Sequence, residues 1–312
     1  MVAMGQLDSY EMGFECSGIV TRIGSAVTSV MPGDRVCALL QGEMATNSRV
    51  HEPSVVKIPD SMSFDVAASI PLAYATAYHS LFTVGRLEQG ESVLIYEASG
   101  GIGRAAVSLA NLTGATIYAT AGSPEKREFV VQELDIPADQ IFSSRDMAFV
   151  QHIMTATHGR GVDVILNSLP DSLLQASWRC IAKSGRFIEI GNNDFELKHL
   201  DMKPFARAAS FTAVDLVHLG QEKPHVVARS LRSIFDLLMT GSIQPVNPVT
   251  VLPISQIGRA FRIMSQGLLL RRAIIWRVSL LTVPSGKHMG KIVIKAEPGD
   301  LVPVIIHATP RN

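Results

Sequence analysis

Cysteines are few and widely spaced in this chain of 312 residues. Cys16, Cys37 and Cys180 form neither a C-x-x-C pair nor a disulfide framework, which predicts packed or free thiols. Concentrated charge of one sign is also lacking, since Lys and Arg number 28, Asp and Glu number 28, and no basic block is interleaved with aromatic residues. This balance excludes the electrostatic footprint of a nucleic-acid-binding protein and favours small-molecule partners.

No segment is typical of secretion or membrane insertion. Residues 1–6 contain no basic stretch that leads into an apolar core, so we predict no secretory signal and a cytoplasmic location. Residues 105–124 carry no charge and have the length of a membrane span, but Asn111, Gly114 and Thr116 interrupt them and the periodicity changes midway. We expect no membrane contact here, but a buried helix followed by a buried strand.

Short apolar runs alternate with helical stretches through the middle of the chain. Residues 93–96, 116–120, 162–166 and 186–190 have the pattern of strands buried on both faces. Helical patterns lie between them, at residues 105–113, 124–134 and 171–181. This βαβ rhythm predicts an α/β fold with a Rossmann-type, doubly wound parallel sheet.

The two flanks of this region have a different pattern. Residues 1–62 are rich in Gly, Val and turn dipeptides, which is typical of short strands at close spacing. After a predicted helix at 226–240, residues 248–253 and 290–295 are again strand-like. We therefore predict a nucleotide-binding domain at 63–246 inserted into one β-rich domain, which is made of residues 1–62 and 247–312.

A glycine pattern follows the first predicted strand of the sheet and opens the next helix. Gly101 and Gly103 match the spacing G-x-G-x-x-A with Ala106. Glycine allows the backbone to approach a pyrophosphate, which free amides at the helix N-terminus hold. We predict that the dinucleotide contacts Gly100, Gly101, Ile102 and Gly103; the alternative is a glycine turn that only packs the helix on the strand.

The end of the second strand bears on the choice of cofactor. NAD-binding versions place an acidic side chain there, whereas here Ser123, Lys126 and Arg127 follow within a turn. One hydroxyl and two cations suit a 2′-phosphate, so we predict that NADPH is bound through these three residues. Glu125 weakens this argument, and the alternative is that both cations lie on a solvated helix face.

These residues, together with residues 13–20, 32–36, 70–78 and 161–169, resemble the medium-chain dehydrogenase/reductase superfamily. Residues 142–146, 185–191 and 286–291 make the chain similar to the enoyl reductase domain of fungal highly reducing polyketide synthases and of animal fatty acid synthase. The resemblance implies that the β-rich domain is GroES-like. It also implies reduction of an enoyl thioester on an acyl carrier protein by hydride transfer from NADPH, with other synthase domains and a second copy of the chain as partners.

The resemblance also implies roles for particular residues. Thr76, Asn167, Ser168 and Leu169 would line the nicotinamide side, and Gly191 would lie beneath it. Zinc-dependent members of the superfamily have His where Phe14 stands here, so no metal site is expected.

The proton donor of the family is missing from this sequence. Asn192 stands where the family has Lys, and Leu7 stands where bacterial relatives have Tyr. Because asparagine cannot act as a general acid, we expect either protonation by water that Asp194 relays or a slow or inactive domain. Asn192 and Asp194 are the candidate catalytic residues.

Two further departures concern the integrity of the domain. The resemblance implies a chain truncated at its N-terminus and a foreign insertion at residues 267–285. For this segment the alternatives are a membrane-surface or partner-docking helix and an extension of the preceding helix. Two alternatives therefore stay open: a truncated or mis-spliced nucleotide-binding fragment without turnover, and a free-standing quinone or enone reductase.

Overall fold

The fold is that of a computed structural model, which describes residues 13–39, 45, 47–145, 147–169, 171–191, 200–265 and 289–297. Its strands are β1 (Glu15–Ile19), β2 (Arg35–Leu39), β3 (Val55–Lys57), β4 (Ser92–Ile95), β5 (Thr116–Ala121), β6 (Ile141–Ser143), β7 (Val162–Asn167), β8 (Ile181–Glu189), β9 (Ser210–Ala213), β10 (Val249–Pro253) and β11 (Lys291–Lys295). Its α-helices are α1 (Phe64–Ala67), α2 (Pro71–Tyr78), α3 (Gly101–Thr113), α4 (Pro124–Leu134), α5 (Ala148–Ala156), α6 (Asp171–Arg179), α7 (Leu216–Glu222), α8 (Pro224–Met239) and α9 (Ile257–Ser265).

Six of the described strands form one parallel sheet in the order β6-β5-β4-β7-β8-β9. This is the strand order of a doubly wound Rossmann fold, so the predicted fold class is confirmed. The chain leaves β4 towards β5 on one side and reaches β7 on the other. The carboxyl ends of β4 and β7 therefore lie side by side at the switch point, where such sheets bind ligands.

The helix predictions hold except at their ends. Helix α4 spans the predicted residues, because Ser123 caps its first turn and Pro124 occupies the first helical position. Helix α3 begins at Gly101, four residues before the predicted start, since the glycines that lower helix propensity belong to its first turn. The uncharged residues 105–124 fall mainly in the buried helix α3 and the strand β5 that follows it, as expected.

Helices cover both faces of the sheet. On one face, α2, α3 and α8 contribute Tyr74, Leu109 and Ile234 to a core that also includes Val93 and Ile95 of β4. On the other face, Trp178 packs edge-on against Phe187 and Phe211, with ring centroids 5.6 Å and 5.8 Å apart. Strands buried on both faces explain why the apolar runs are continuous rather than alternating.

A half-buried ion pair joins the sheet to the loop that precedes β4. Arg186 in β8 donates from Nη1 and Nη2 to the two carboxylate oxygens of Glu91, at 2.7 Å and 2.6 Å, and from Nε to the carbonyl of Gly85. The pair is bidentate, which is the strong geometry for arginine and carboxylate. It lowers the pKa of the Glu91 carboxyl through the hydrogen bond from Arg186.

The remaining described strands form two small sheets outside the large one. Strands β1, β2 and β3 make an antiparallel sheet, and β10 pairs in parallel with β11. The division of the chain at residues 62 and 246 stays a prediction. None of the described helices is long and apolar enough to cross a membrane.

Candidate nucleotide-binding site

The loop between β4 and α3 approaches its surroundings so closely that side chains are excluded from it. A Cβ on Gly103 would lie 2.7 Å from the Cα of Ala98 and would also meet the carbonyl of Glu97. The loop is held against β5, because Thr120 accepts a hydrogen bond from Ala98 N at 3.1 Å through its carbonyl. The first-turn amides of α3 have no carbonyl partner within the helix, which makes this end a site for an anion.

A lysine from the last described strand lies across the same loop. Gly290 N donates to the carbonyl of Ser99 at 3.0 Å, and Gly290 forms an isolated parallel bridge with Gly100. The next residue, Lys291, passes close over Gly101, where a Cβ would be 2.7 Å from its Cδ. Its ammonium group forms an ion pair with Glu15 of β1. Residues from both flanks of the sheet therefore meet at the glycine loop.

The predicted phosphate-binding residues after β5 do not all have free side chains. Ser123 accepts a hydrogen bond at its Oγ from the Lys126 backbone amide at 3.3 Å and so caps α4. Arg127 donates from Nη2 to the carbonyl of Ala138 at 2.5 Å. Lys126 is half-buried in the first turn of α4, beside the capping hydroxyl.

Arg145 is a candidate residue that the sequence argument did not assign. It follows β6 in sequence, and its Nε donates to the carbonyl of Gly122 at 2.7 Å. The contact holds a guanidinium group beside the end of β5, where a Rossmann fold selects between the two dinucleotides. Residues 142–146 carry a family-like motif, but no strand was predicted there, so nothing in the sequence indicated that Arg145 lies beside the end of β5.

The predicted nicotinamide-side residues come together at the ends of β7 and β8. Asn167 Nδ2 donates to the carbonyl of Leu169 at 2.8 Å. A Cβ on Gly191 would lie 2.7 Å from Glu189 Oε1 and 3.4 Å from the carbonyl oxygen of Ser168. Asn167, Ser168, Leu169 and Gly191 are therefore neighbours.

Thr76 is buried in α2, the helix that packs against α3 and α8. Its role at the nicotinamide side stays a prediction.

Glu189 is a second residue that the sequence argument missed. Its Oε2 accepts from Asn167 Nδ2 at 2.5 Å and its Oε1 from Gly191 N at 2.6 Å. Burial raises the pKa of this carboxyl to about 7, against the two hydrogen bonds, which lower it. Glu189 is surrounded by apolar groups and accepts hydrogen bonds from two neutral donors. Carboxyl groups with a pKa perturbed in this way occur often at functional sites.

An apolar cavity of about 380 Å³ lies among β2, α2, α7 and the segment 49–54. Polar side chains of Arg49, His51 and Gln221 stand at its wall, and Phe14 contributes where zinc-dependent relatives of the predicted family have His. This combination of apolar lining and few polar groups is typical of a small-molecule pocket. The lining residues are Phe14, Leu39, Arg49, Val50, His51, Ser54, Leu72, Val217, Gly220, Gln221 and Pro224.

Comparisons with known proteins identify the family. The chain superposes on the crystal structure of CurK enoyl reductase with a TM-score of 0.75 and 33% identity, covering 92% of this chain and 79% of that one. The chain belongs to the enoyl reductases of the medium-chain dehydrogenase/reductase superfamily. The nucleotide-binding subdomain of the enoyl reductase domain of PpsC from Mycobacterium tuberculosis is 40% identical, with a TM-score of 0.53, over 56% of this chain and 97% of that one.

The curated relatives of this enoyl reductase chain are much longer proteins. Squalestatin tetraketide synthase from Phoma sp. (strain C2932) is 48% identical over 308 residues, and lovastatin diketide synthase from Aspergillus terreus is 44% identical over 307. These alignments cover 98% and 97% of this chain but 11% of each relative. A family profile described as zinc-binding dehydrogenase matches residues 101–228.

The cysteine thiols and the candidate metal ligands were also predicted from the sequence. Cys37 and Cys180 are buried, and burial raises the pKa of both thiols, that of Cys180 to about 12. They are packed thiols, as predicted. In the part of the chain that the structure describes, no group of three or more His, Cys, Asp or Glu side chains could hold a metal ion.

Several predicted features lie outside the described residues. They are the candidate catalytic residues Asn192 and Asp194, the position of Leu7, and the segment 267–285. Their roles stay predictions.

Proposed function

We propose that the chain reduces the α,β-double bond of an enoyl thioester, carried on an acyl carrier protein during polyketide assembly, with NADPH as the hydride donor. The observation that carries the proposal is the edge of the sheet where β4 and β7 diverge. At this edge lie a glycine loop too tight for a Cβ at Gly103 and a buried asparagine, Asn167, whose Oδ1 has no hydrogen-bond partner among the residues that the structure describes.

The residues present fit a dinucleotide. The glycine loop and the first turn of α3 would hold its pyrophosphate, and Asn167 with its neighbours would hold the nicotinamide half. When bound, the dinucleotide supplies the hydride that reaches the β-carbon of the substrate. The chain's own part is to orient this half, exclude water from it and accommodate the acyl group, for which the cavity beside Phe14 and Leu72 has an apolar lining.

Protonation at the α-carbon of the substrate completes the proposed reaction. Asparagine at position 192 cannot give up a proton near neutral pH, so we assign this step to water that Asp194 relays. The assignment rests on the sequence.

The choice of NADPH over NADH is part of the proposal. Its support is the group of Ser123, Lys126 and Arg145 at the ends of β5 and β6, two of whose members are cations. Titration of the purified chain should show tighter binding of NADPH than of NADH, and Lys126→Glu should remove the difference. Equal affinity of the wild-type chain for both cofactors would contradict the choice.

Turnover is tested with two matched thioesters. The chain should oxidise NADPH when a crotonyl thioester of pantetheine is added, and the saturated butyryl thioester should give no rate above background. Binding of NADPH without any rate would favour a nucleotide-binding fragment, and a faster rate with a quinone than with the thioester would favour a quinone reductase.

The partners follow from the length of the relatives. Because the chain matches about a tenth of each curated synthase, we propose that it works beside other synthase domains, with the acyl carrier protein as its substrate carrier. A homodimer is proposed as well, and light scattering of the purified chain measures it directly.

A further inference from the structure

Asn167 and Glu189 are register partners at the carboxyl ends of the adjacent strands β7 and β8. Asn167 is fully buried and Glu189 is 4% exposed. The asparagine amide uses both of its N–H groups, one to Glu189 Oε2 at 2.5 Å and one to the carbonyl of Leu169 at 2.8 Å. The other carboxylate oxygen of Glu189 accepts from Gly191 N at 2.6 Å.

This arrangement fixes which way the amide points. While Glu189 is ionised, rotation of the amide by half a turn would set Asn167 Oδ1 against a carboxylate oxygen and a carbonyl oxygen, and neither of them can donate a hydrogen bond. The oxygen therefore has one orientation, and in it Oδ1 is buried with no hydrogen-bond partner among the residues that the structure describes. A buried acceptor left without a donor is costly, which indicates that a donor comes from outside these residues.

The position of the oxygen indicates the kind of donor. Strand β7 lies next to β4, the strand that leads into the glycine loop, so Asn167 stands at the edge of the sheet along which the proposed dinucleotide would extend. The nicotinamide half of a dinucleotide offers N–H donors on its carboxamide and O–H donors on its ribose.

We propose that Glu189 is a positioning residue, which locks the Asn167 amide so that Oδ1 accepts a hydrogen bond from the nicotinamide half of the cofactor. The inference rests on the proposed function, since it requires a dinucleotide in the crevice. Glu189 does not touch the cofactor in this arrangement; it acts through Asn167 and, by holding Gly191 N, keeps the backbone of the neighbouring strand end in place.

Glu189→Gln is the most direct perturbation. Glutamine has the shape of glutamate, but one of its terminal groups is a donor and would face either Asn167 Nδ2 or Gly191 N, both of which are donors. The amide of Asn167 is then released. We expect NADPH affinity to fall about tenfold, the loss of roughly one oriented hydrogen bond.

A fragment of the cofactor provides the matched control. Adenosine 2′,5′-bisphosphate carries the 2′-phosphate but has no nicotinamide half, so its affinity should stay within about twofold of wild type in Glu189→Gln and in Asn167→Leu. Retained binding of the fragment shows that each variant is folded. A general structural role for Glu189 would weaken the fragment and the whole dinucleotide together, and that outcome would overturn the inference.

A double-variant cycle tests whether Glu189 acts through Asn167. Once Asn167→Leu has removed the oxygen, adding Glu189→Gln should weaken NADPH by less than about twofold more. Additive losses would contradict the proposed link. An unchanged NADPH affinity of Asn167→Leu, with fragment binding retained, would overturn the inference as well.

The two sources of the donor are separated with the wild-type chain. The 3-acetylpyridine analogue of the dinucleotide has a methyl ketone in place of the carboxamide and so lacks the N–H donor. A tenfold weaker analogue assigns the donor to the carboxamide, and an unchanged affinity assigns it to the ribose, provided that Asn167→Leu weakens NADPH. If the wild-type chain binds neither NADPH nor the fragment, the proposed function fails; if it binds both and Glu189→Gln changes nothing, only this inference fails.

Discussion

Replacing Arg145 with alanine is expected to weaken NADPH about tenfold and to leave NADH within about twofold. The Nε–H of Arg145 is used on the Gly122 carbonyl at 2.7 Å, so its terminal amino groups are held near the end of β5. An arginine has five N–H donors, and the four that remain on its terminal nitrogens suit a phosphate.

The size of the effect follows from the exposure of the arginine. Two unit charges 4 Å apart interact by about 1 kcal/mol in water and about 4 kcal/mol at an effective dielectric constant near 20. Because the Arg145 side chain is exposed, the lower part of that interval applies, and about 1.4 kcal/mol corresponds to a tenfold change in affinity. Salt screens such an exposed contact, so the difference between variant and wild type should shrink as ionic strength rises.

Fluorescence titration of each variant with NADPH and with NADH, at low and high salt, measures the effect. Arg229→Ala is the matched control, because Arg229 is an exposed arginine on α8, far along the chain from the end of β5. Equal weakening of both cofactors would mean that Arg145 supports the loop rather than the 2′-phosphate. No weakening of NADPH would remove Arg145 from the site altogether.

Three other predictions concern the loop, the ion pair and the proton donor. Gly103→Ala places a Cβ 2.7 Å from the Cα of Ala98 and should cost about 1–3 kcal/mol of unfolding free energy and lower NADPH affinity; an unchanged denaturation midpoint would contradict the close approach. Arg186→Met should lower the free energy of unfolding by about 2 kcal/mol at neutral pH, as measured by urea unfolding. This loss lies between those expected for breaking an exposed ion pair and a buried one. Since the folded-state pKa of Glu91 is lowered, that pair stabilises the protein above the unfolded pKa, so the deficit should shrink as pH falls below about 4.5 and a constant deficit would refute the assignment. Asn192→Lys should raise thioester turnover; unchanged turnover with intact NADPH binding would show that position 192 is not limiting.

The parallel sheet could be predicted because its strands are buried on both faces. Strands of this kind leave continuous apolar runs in the sequence, and residues 93–96 and 162–166 each match a strand to within one residue at either end. The strand predicted at residues 186–190 is longer in the structure and ends at Glu189. It begins at Ile181, where the pattern of α6 had been extended into it, because apolar residues at a helix–strand junction fit both periods.

The glycine loop was predictable from spacing, but the residues that surround it were not. Lys291 and Glu15 are distant from Gly101 in sequence, and no local pattern indicates that the three meet. Glu189 had a local signal, since an acidic residue inside an apolar strand is expensive to bury without a partner. The sequence did not predict that its partner is Asn167, because Asn167 belongs to a different strand and the register between the two strands depends on the whole sheet.

The bridge between Gly100 and Gly290 sets an order of events during synthesis of the chain. The two residues are about 190 positions apart, so the sheet and all its crossover helices leave the ribosome long before the residue that pairs with the glycine loop. Until then the Ser99 carbonyl lacks the amide that it accepts in the finished fold. A nascent chain stalled before residue 290 should already resist proteolysis in its sheet while its loop is still cleavable. The hydrogen bond from Gly290 N to the Ser99 carbonyl can therefore form only after the ribosome has translated residue 290.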